Sequence, residues 1–350
     1  MTESMMAARL HRIGADLRID RVPVPRIGPN DILIEVRASG ICHSDLNYRN
    51  GVAHVSKLPI TLGHEIAGIA VRKGGRVRNL RLGERILGHY VVSCGRCSYC
   101  RSNRENYCNS YRMIGKDLDG GFAQYAAIPA ACAVRLPETI PFEQGAIMGC
   151  AVPTAYHALR RSRVGPRDTV VIIGVGGLGM HAVQLARRIF HARRVIAVDR
   201  FDWKLKSAKD SGADEIVNAV THDPVNAVSR LTGGRLADVV LDFVGSVRTN
   251  QQGLSCLGKG GRLALVGIDA ESMTVSPYKT MIGKELEIIG VDDHLKIELK
   301  NLVNFVKSGR LDLSRSVTHR VTLDDINEGL RSLEDKNEKP VRVVVSMGDG

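Results

Sequence analysis

The sequence predicts an α/β protein of two domains, one β-rich and one built on a doubly wound parallel sheet. Three observations carry this expectation. The chain has 350 residues, more than the roughly 250–300 at which a single core stops growing. Up to about residue 150, short apolar or alternating runs are broken by Gly, Pro and Asn. From about residue 153, β-branched runs alternate with amphipathic stretches, the rhythm of βαβ units. The expected boundaries put residues 1–152 and 295–350 in the first domain and 153–294 in the second.

In the first domain, residues 32–36 (ILIEV) and 65–71 (EIAGIAV) read as strands, and helical periodicity is weak. An antiparallel, barrel-like arrangement with long loops follows. In the second, residues 169–174 (TVVIIG) form a buried strand. A helix follows with Leu178, Ala182, Leu185 and Ile189 on one face. Residues 194–199 (RVIAVD) are the next strand, and WKLKSAKDSG the next helix. Further strands are expected at 238–244, 262–266 and 286–291. A helix at 299–307 and a strand at 341–346 close the chain, with Gly309 and Pro340 as breaks.

Composition narrows the function. Hydrophobic residues make up 44% and charged residues 25%, ordinary values for a globular protein. Aromatics at 4% argue against a base-stacking nucleic-acid surface. The net charge of +12 favours anionic partners such as nucleotides. No apolar run reaches the roughly 18 residues of a membrane span, and the N-terminus lacks the apolar stretch of a signal peptide. A cytoplasmic protein is expected, whose eight cysteines stay reduced and free to bind metal.

Cys94, Cys97, Cys100 and Cys108 follow the pattern CxxCxxCx₇C. Each two-residue gap lets the backbone curl and present the next sulfur, so four thiolates can wrap one tetrahedral zinc ion. Gly174-Val175-Gly176-Gly177-Leu178-Gly179 fits GxGxxG, between an expected strand and an expected helix. Gly174 permits the tight turn, Gly176 lets backbone approach a pyrophosphate, and Gly179 lets the helix pack against the strand. The helix N-terminus offers free N–H groups to phosphate. Asp199 ends the next strand, where it can accept both ribose hydroxyls of NAD and repel the 2′-phosphate of NADP; Arg200 beside it softens that choice. NAD is the expected cofactor, on a Rossmann-type sheet.

Cys42 (in GICHSD), His64 (in GHE) and Cys150 (in MGCAVPT) are remote in sequence. Taken singly, each also reads as a core cysteine or a satisfied histidine. Together with the four-cysteine lobe and the glycine fingerprint, in this order, they resemble the zinc-dependent alcohol dehydrogenases of the medium-chain dehydrogenase/reductase family. The resemblance covers essentially the whole chain and implies a GroES-like β domain at its N-terminus.

By that resemblance, Cys42, His64 and Cys150 hold a catalytic zinc, and the four-cysteine lobe holds a second, structural one. Ser44 takes the alcohol's proton, Asp45 orients His64, and Glu65 approaches the metal during ligand exchange. Thr154 contacts the nicotinamide, Lys204 the adenosine ribose, and His43 and Arg342 the pyrophosphate. Tyr90 walls the substrate pocket. Cys132 and Cys256 belong to neither set and read as buried apolar cysteines. The implied reaction is reversible hydride transfer between a small alcohol and NAD, giving an aldehyde or ketone, in a homodimer or homotetramer. One departure stands out: Asn47 occupies a position where many members carry a proton-relay histidine. A polyol or amino-acid alcohol substrate, a metal-free reductase on the same fold, and a zinc-ribbon nucleic-acid binder are the alternatives. The last leaves the glycine fingerprint unexplained.

Overall fold

The computed structural model describes residues 3–269, 271–335 and 339–348. The chain forms two compact units: one ends at Pro153 and resumes at His294, and the other is Thr154–Asp293. The first change of unit falls inside the helix Ala151–Arg161.

The first unit is built on a seven-stranded sheet. Its spatial order is Ala133–Arg135, Arg85–Gly88, Glu65–Lys73, Asp31–Ile41, Arg342–Ser346 and Val317–Val321, with Tyr125–Pro129 pairing beside Asp31–Ile41. The pairs are antiparallel except the last two strands of that order. A three-stranded sheet adds Arg18–Pro23, Ser4–Leu10 and Ile60–Thr61. The two-residue period decides which side chains go inside. Ile32, Ile34 and Val36 alternate along their strand and join one core with Ile66, Ile86 and Ile128. That core also encloses Cys42 and Cys150. A second core gathers Leu10, Ile41, Leu62, Phe122 and Val343.

The second unit holds a six-stranded, all-parallel sheet in the order Glu215–Asn218, Arg194–Asp199, Thr169–Ile173, Ala237–Asp242, Leu257–Leu265, Glu287–Gly290. Thr169–Ile173 (TVVII) is buried at all five positions. A central parallel strand is covered on both faces, which is why its sequence is apolar without alternation. The chain starts at this strand, moves outward to one edge, then returns past it to Ala237–Asp242 and works toward the other edge. Strand order therefore reverses between Thr169–Ile173 and Ala237–Asp242. In open α/β sheets, ligands bind beyond the carboxyl ends of the strands at such a reversal.

The short strand Glu215–Asn218 and the helices Pro224–Leu231 and Val247–Ser255 have no counterpart in the sequence reading. Pro224–Leu231 is only eight residues long and Val247–Ser255 is rich in Asn, Thr and Gln, so neither offers the long window on which period and propensity are read. Their start signals are local: Asp223 accepts the N–H of Asn226 (2.8 Å) and Ser246 that of Thr249 (3.3 Å). The helix expected at 299–307 begins earlier and spans Lys296–Lys307. Its first turn is tied by Glu298, which accepts the Leu295 N–H at 2.8 Å.

Candidate active site

The four-cysteine lobe is formed within the first unit. Sγ of Cys97 lies 3.4 Å from that of Cys100, and Sγ of Cys94 lies 3.9 Å from that of Cys100. A disulfide would need about 2.05 Å. Four sulfurs at about 2.3 Å from one central ion stand roughly 3.8 Å apart, and the observed separations bracket that value. Backbone N–H groups point at the sulfurs as well: Cys100 donates to Cys97 Sγ at 3.5 Å and Cys94 to Cys108 Sγ at 3.4 Å. Backbone donors at Arg96 and Cys97 bring the Cys94 thiol down to about 6, while burial pushes Cys108 up to about 11. The donor set fits a closed tetrahedral zinc site.

The second cluster is assembled from distant segments. Cys42 follows the strand Asp31–Ile41 and precedes the helix His43–Arg49; His64 and Glu65 open the strand Glu65–Lys73; Cys150 precedes the helix Ala151–Arg161. The ligand atoms of Cys42, His64, Glu65 and Cys150 all lie within 4.8 Å of one another, and all four residues are buried. Buried Asp45 holds the frame. Its Oδ2 accepts the Cys42 N–H at 2.9 Å and its Oδ1 the Gly63 N–H at 3.4 Å. The same Oδ1 stands 3.4 Å from His64 Nδ1. With Nδ1 facing the carboxylate, Nε2 is the ring nitrogen left to serve a metal.

Electrostatics agree with this geometry. The hydrogen bond from Cys150, with help from His64, holds the Cys42 thiol well below its usual range. The same bond and burial push Cys150 up. Burial acts to lower His64, but the charges and hydrogen bonds of Asp45 and Cys42 outweigh it and raise it well above the usual value. Such a set of soft donors, packed together beside a carboxylate, fits a divalent metal. Replacing Asp45 with alanine should lower catalytic efficiency and zinc affinity by about 10–100-fold, as losses of ligand-orienting partners do. Steady-state kinetics and zinc titration would check this.

Glu65 has a partner that the sequence reading did not foresee. Nη2 of Arg342 lies 2.5 and 2.6 Å from its two oxygens, and both residues are buried. Burial pushes the Glu65 carboxyl up to about 7, against the opposing charge of Arg342. Gly40 makes room for this carboxylate: a Cβ there would sit 1.8 Å from Glu65 Oε2. Arg342, expected at the pyrophosphate, thus places its Nη2 on Glu65 inside the first unit.

Around the cluster, the Ser44 hydroxyl lies 3.7 Å from Cys42 Sγ. His43 is exposed. Tyr90 stands edge-on to His64, with ring centroids 5.2 Å apart. His294 packs on Tyr90 at 4.9 Å and on His89 at 5.0 Å. Nε2 of His89 lies 3.3 Å from the His294 carbonyl oxygen, so that nitrogen carries the proton. Burial brings His89 down to about 4, leaving the ring neutral. No periodic or motif signal marks these two histidines.

In the second unit the glycine loop takes the form its residues require. Gly174 has φ +84°, and a Cβ there would meet Val244 Cγ2 at 2.6 Å. A Cβ on Gly179 would sit 2.0 Å from the Gly174 carbonyl oxygen. Gly176 faces open space, with Lys204 Nζ 3.7 Å from where its Cβ would be. The helix Gly179–Arg188 begins at Leu178 without a side-chain cap, and its Met180 N–H donates to the Gly176 carbonyl at 3.0 Å. Asp199 is fixed by three backbone donors: Val175 to Oδ2 at 3.0 Å, and Arg200 and Phe201 to Oδ1 at 2.8 and 3.1 Å. A carboxylate offers about four acceptor sites, so one remains for a ribose hydroxyl. Thr154 is buried in the helix Ala151–Arg161. Replacing Gly179 with valine should weaken NADH binding at least tenfold, because the Gly174 carbonyl must move. Fluorescence titration of NADH reads this loss directly.

Comparison with known proteins places these features in a family. Residues 28–138 match the model of the alcohol dehydrogenase GroES-like domain, and residues 177–308 match that of the zinc-binding dehydrogenase. An NAD-dependent alcohol dehydrogenase of Sulfurisphaera tokodaii is 32% identical over 94% of this chain and 96% of its own length. An L-idonate 5-dehydrogenase of Vitis vinifera is 33% identical over 94% of this chain and 92% of its own. The crystal structure of an alcohol dehydrogenase from Aeropyrum pernix superposes with a TM-score of 0.90 at 36% identity, covering 97% of this chain and 99% of that one.

Proposed function

The chain belongs to the zinc-dependent alcohol dehydrogenases of the medium-chain dehydrogenase/reductase family, and on that premise we propose how its residues divide the work. It is an oxidoreductase acting on the CH–OH group of a small alcohol, reversibly, with a nicotinamide dinucleotide as partner. Cys42, His64 and Cys150 hold a catalytic zinc, and Cys94, Cys97, Cys100 and Cys108 a structural one, giving two per chain. The observation that carries this reading is the convergence of three remote soft donors around a buried carboxylate, Asp45.

The zinc supplies a Lewis acid that lets an alcohol lose its proton near neutral pH, and the nicotinamide supplies the hydride acceptor. The chain's own residues do the rest. Asp45 fixes the Cys42 and Gly63 backbone and orients His64. The Ser44 hydroxyl, beside Cys42, receives and passes on the proton. Glu65, held by Arg342, is the spare acid next to the three donors. Tyr90 covers one side of His64 and keeps water from it. Lys204 is assigned to the adenosine ribose and the glycine turn to the phosphates, and His43 is an exposed candidate for the same anion. The remaining acceptor site of Asp199 selects NAD over NADP. The Thr154 hydroxyl is assigned to the nicotinamide end.

Asn47 lies three residues beyond Ser44 on the helix His43–Arg49 and does not titrate. The proton therefore leaves without an ionisation at this position. Asn47→His should add one near neutral pH to the pH–rate profile; unchanged profiles would place residue 47 off the path.

We assign the enzyme to a homo-oligomer. Among the described residues Glu287–Gly290 pairs on one side only, with Leu257–Leu265, and its free edge suits pairing with a second copy. Among the described residues no helix is long and apolar enough to cross a membrane; the cytoplasm suits the reduced thiols. A panel of alcohols with NAD and with NADP, followed by absorbance of the reduced nicotinamide, tests the reading together with zinc content. Two zinc ions per chain and NAD-linked oxidation are expected. No turnover with any alcohol in a fully zinc-loaded preparation would sink it.

A further inference from the structure

We propose that Asp242 is a positioning residue of the cofactor site: it builds the loop that abuts the glycine turn at the reversal point of the parallel sheet. The inference rests on the nicotinamide dinucleotide reading above.

Asp242 ends the strand Ala237–Asp242 and stands in register beside Ile173, the residue before Gly174. This pair of strands is where the sheet order reverses, so their carboxyl ends frame the crevice in which a dinucleotide binds. The side chain of Asp242 is fully buried. A buried carboxylate is costly unless it accepts hydrogen bonds. Oδ1 accepts two backbone N–H groups, from Val244 at 2.8 Å and Gly245 at 3.1 Å. These bonds fold residues 243–245 back over the strand end.

The folded loop is then locked from three other sides. The Phe243 N–H donates to the Ile173 carbonyl at 2.9 Å. Asn250 Nδ2 donates to the Gly245 carbonyl at 3.1 Å. The N–H groups of Val266 and Gly267 both donate to the Asp242 carbonyl at 3.0 Å. Gly245 is in the left-handed region at φ +88°, and a Cβ there would meet the Gly267 carbonyl carbon at 2.4 Å. The loop can therefore be displaced little without losing its contacts.

What the loop presents is Val244. The side chain is 47% exposed at the strand end. Its Cγ2 lies 2.6 Å from where a Cβ of Gly174 would be, so it is packed directly on the glycine turn. The glycine turn and the Val244 loop thus touch, one on each side of the reversal. A shift of the Val244 loop would carry to the turn that approaches the pyrophosphate. Asp242 sets that shift to zero, acting through backbone rather than by touching the cofactor.

Three substitutions separate this role from bulk stability. Asp242→Asn keeps an acceptor oxygen at the place of Oδ1. Asp242→Ala removes it, and Asp242→Ser offers one hydroxyl acceptor, with which serine supports turns more weakly. The expected order of NADH dissociation constants, by fluorescence titration, is wild type close to Asn, then Ser, then Ala, with at least a tenfold span. In steady state, the Ala or Ser variant should show a raised KM for NAD with kcat within about twofold and an unchanged KM for the alcohol. A merely structural role would lower the melting temperature and the active fraction but leave the KM of the surviving enzyme alone. Wild-type NADH affinity in Asp242→Ala, or in Asp242→Ser should the alanine variant not fold, overturns the proposal. So does an Asn variant as weak as Ala. Absence of NADH binding by the wild-type enzyme would instead overturn the cofactor reading itself.

Discussion

Replacing Cys42 with alanine abolishes turnover while NADH binding survives. The two effects separate because they live in different units. Cys42 lies in the first unit, within 4.8 Å of the donor atoms of His64 and Cys150. The glycine loop, Asp199 and Lys204 lie in the second. Removing one of three protein ligands leaves an imidazole and one thiolate, too few for a tight tetrahedral zinc site. A catalytic metal supplies several kcal/mol of charge stabilisation; losing about 4 kcal/mol slows a reaction roughly a thousandfold. The Cys42 N–H bond to Asp45 is a backbone bond and persists in the variant, so the turn keeps its shape. Zinc content should fall by about one per chain, with the remaining zinc in the four-cysteine lobe. NADH fluorescence titration should give the wild-type dissociation constant. Activity above about a tenth of wild type in the purified variant would remove Cys42 from the ligand set.

Much of this was legible in the sequence because the relevant signals are local. CxxC spacing requires nothing beyond a curled backbone, and the four sulfurs do lie together. The strand RVIAVD begins and ends where the apolar run does, at Arg194–Asp199. It is flanked by helices whose period contrasts with its own. The expected strand at 238–244 ends sooner, at Asp242. The apolar residues Phe243 and Val244 prolong the pattern, but Asp242 bends the chain back by taking their loop's N–H groups.

What the sequence hides is the pairing of charged and polar groups far apart in the chain. Arg342 and Glu65 are 277 residues apart. The neighbouring strands Asp31–Ile41, Glu65–Lys73 and Arg342–Ser346 bring them together. No local pattern encodes that. Resemblance placed Arg342 near phosphate; the folded sheet adds a carboxylate on its Nη2. His89 and His294 are invisible for the same reason. His89 is a single polar residue in an apolar stretch, His294 sits in a polar turn after Asp292 and Asp293, and their ring contact arises only when the chain re-enters the first unit at His294. Gly40 reads as one strand glycine among many until Glu65 is seen to occupy the space of its missing side chain.

The Arg342–Glu65 pair leads to the second large effect. Arg342→Ala should destabilise the first unit by about 3–5 kcal/mol, because the buried Glu65 carboxylate loses the guanidinium paired with both of its oxygens. The loss should grow with pH. Burial already raises the folded Glu65 carboxyl to about 7, above its usual 4.5, and removing the guanidinium raises it further. A group that holds its proton more tightly when folded stabilises the fold below its unfolded pKa. That contribution is lost as pH rises through the folded pKa. At pH 5–6 the variant's Glu65 is protonated and neutral, so the damage is smallest. Near pH 8–9 the carboxylate would have to ionise unpaired, and the damage is largest. Glu65→Gln combined with Arg342→Met should recover most of the stability, since neither charge is then stranded. Denaturant melts of the metal-free single and double variants across this pH range would decide the matter. Equal destabilisation at every pH, or no recovery in the double variant, would show that packing rather than charge makes Arg342 necessary.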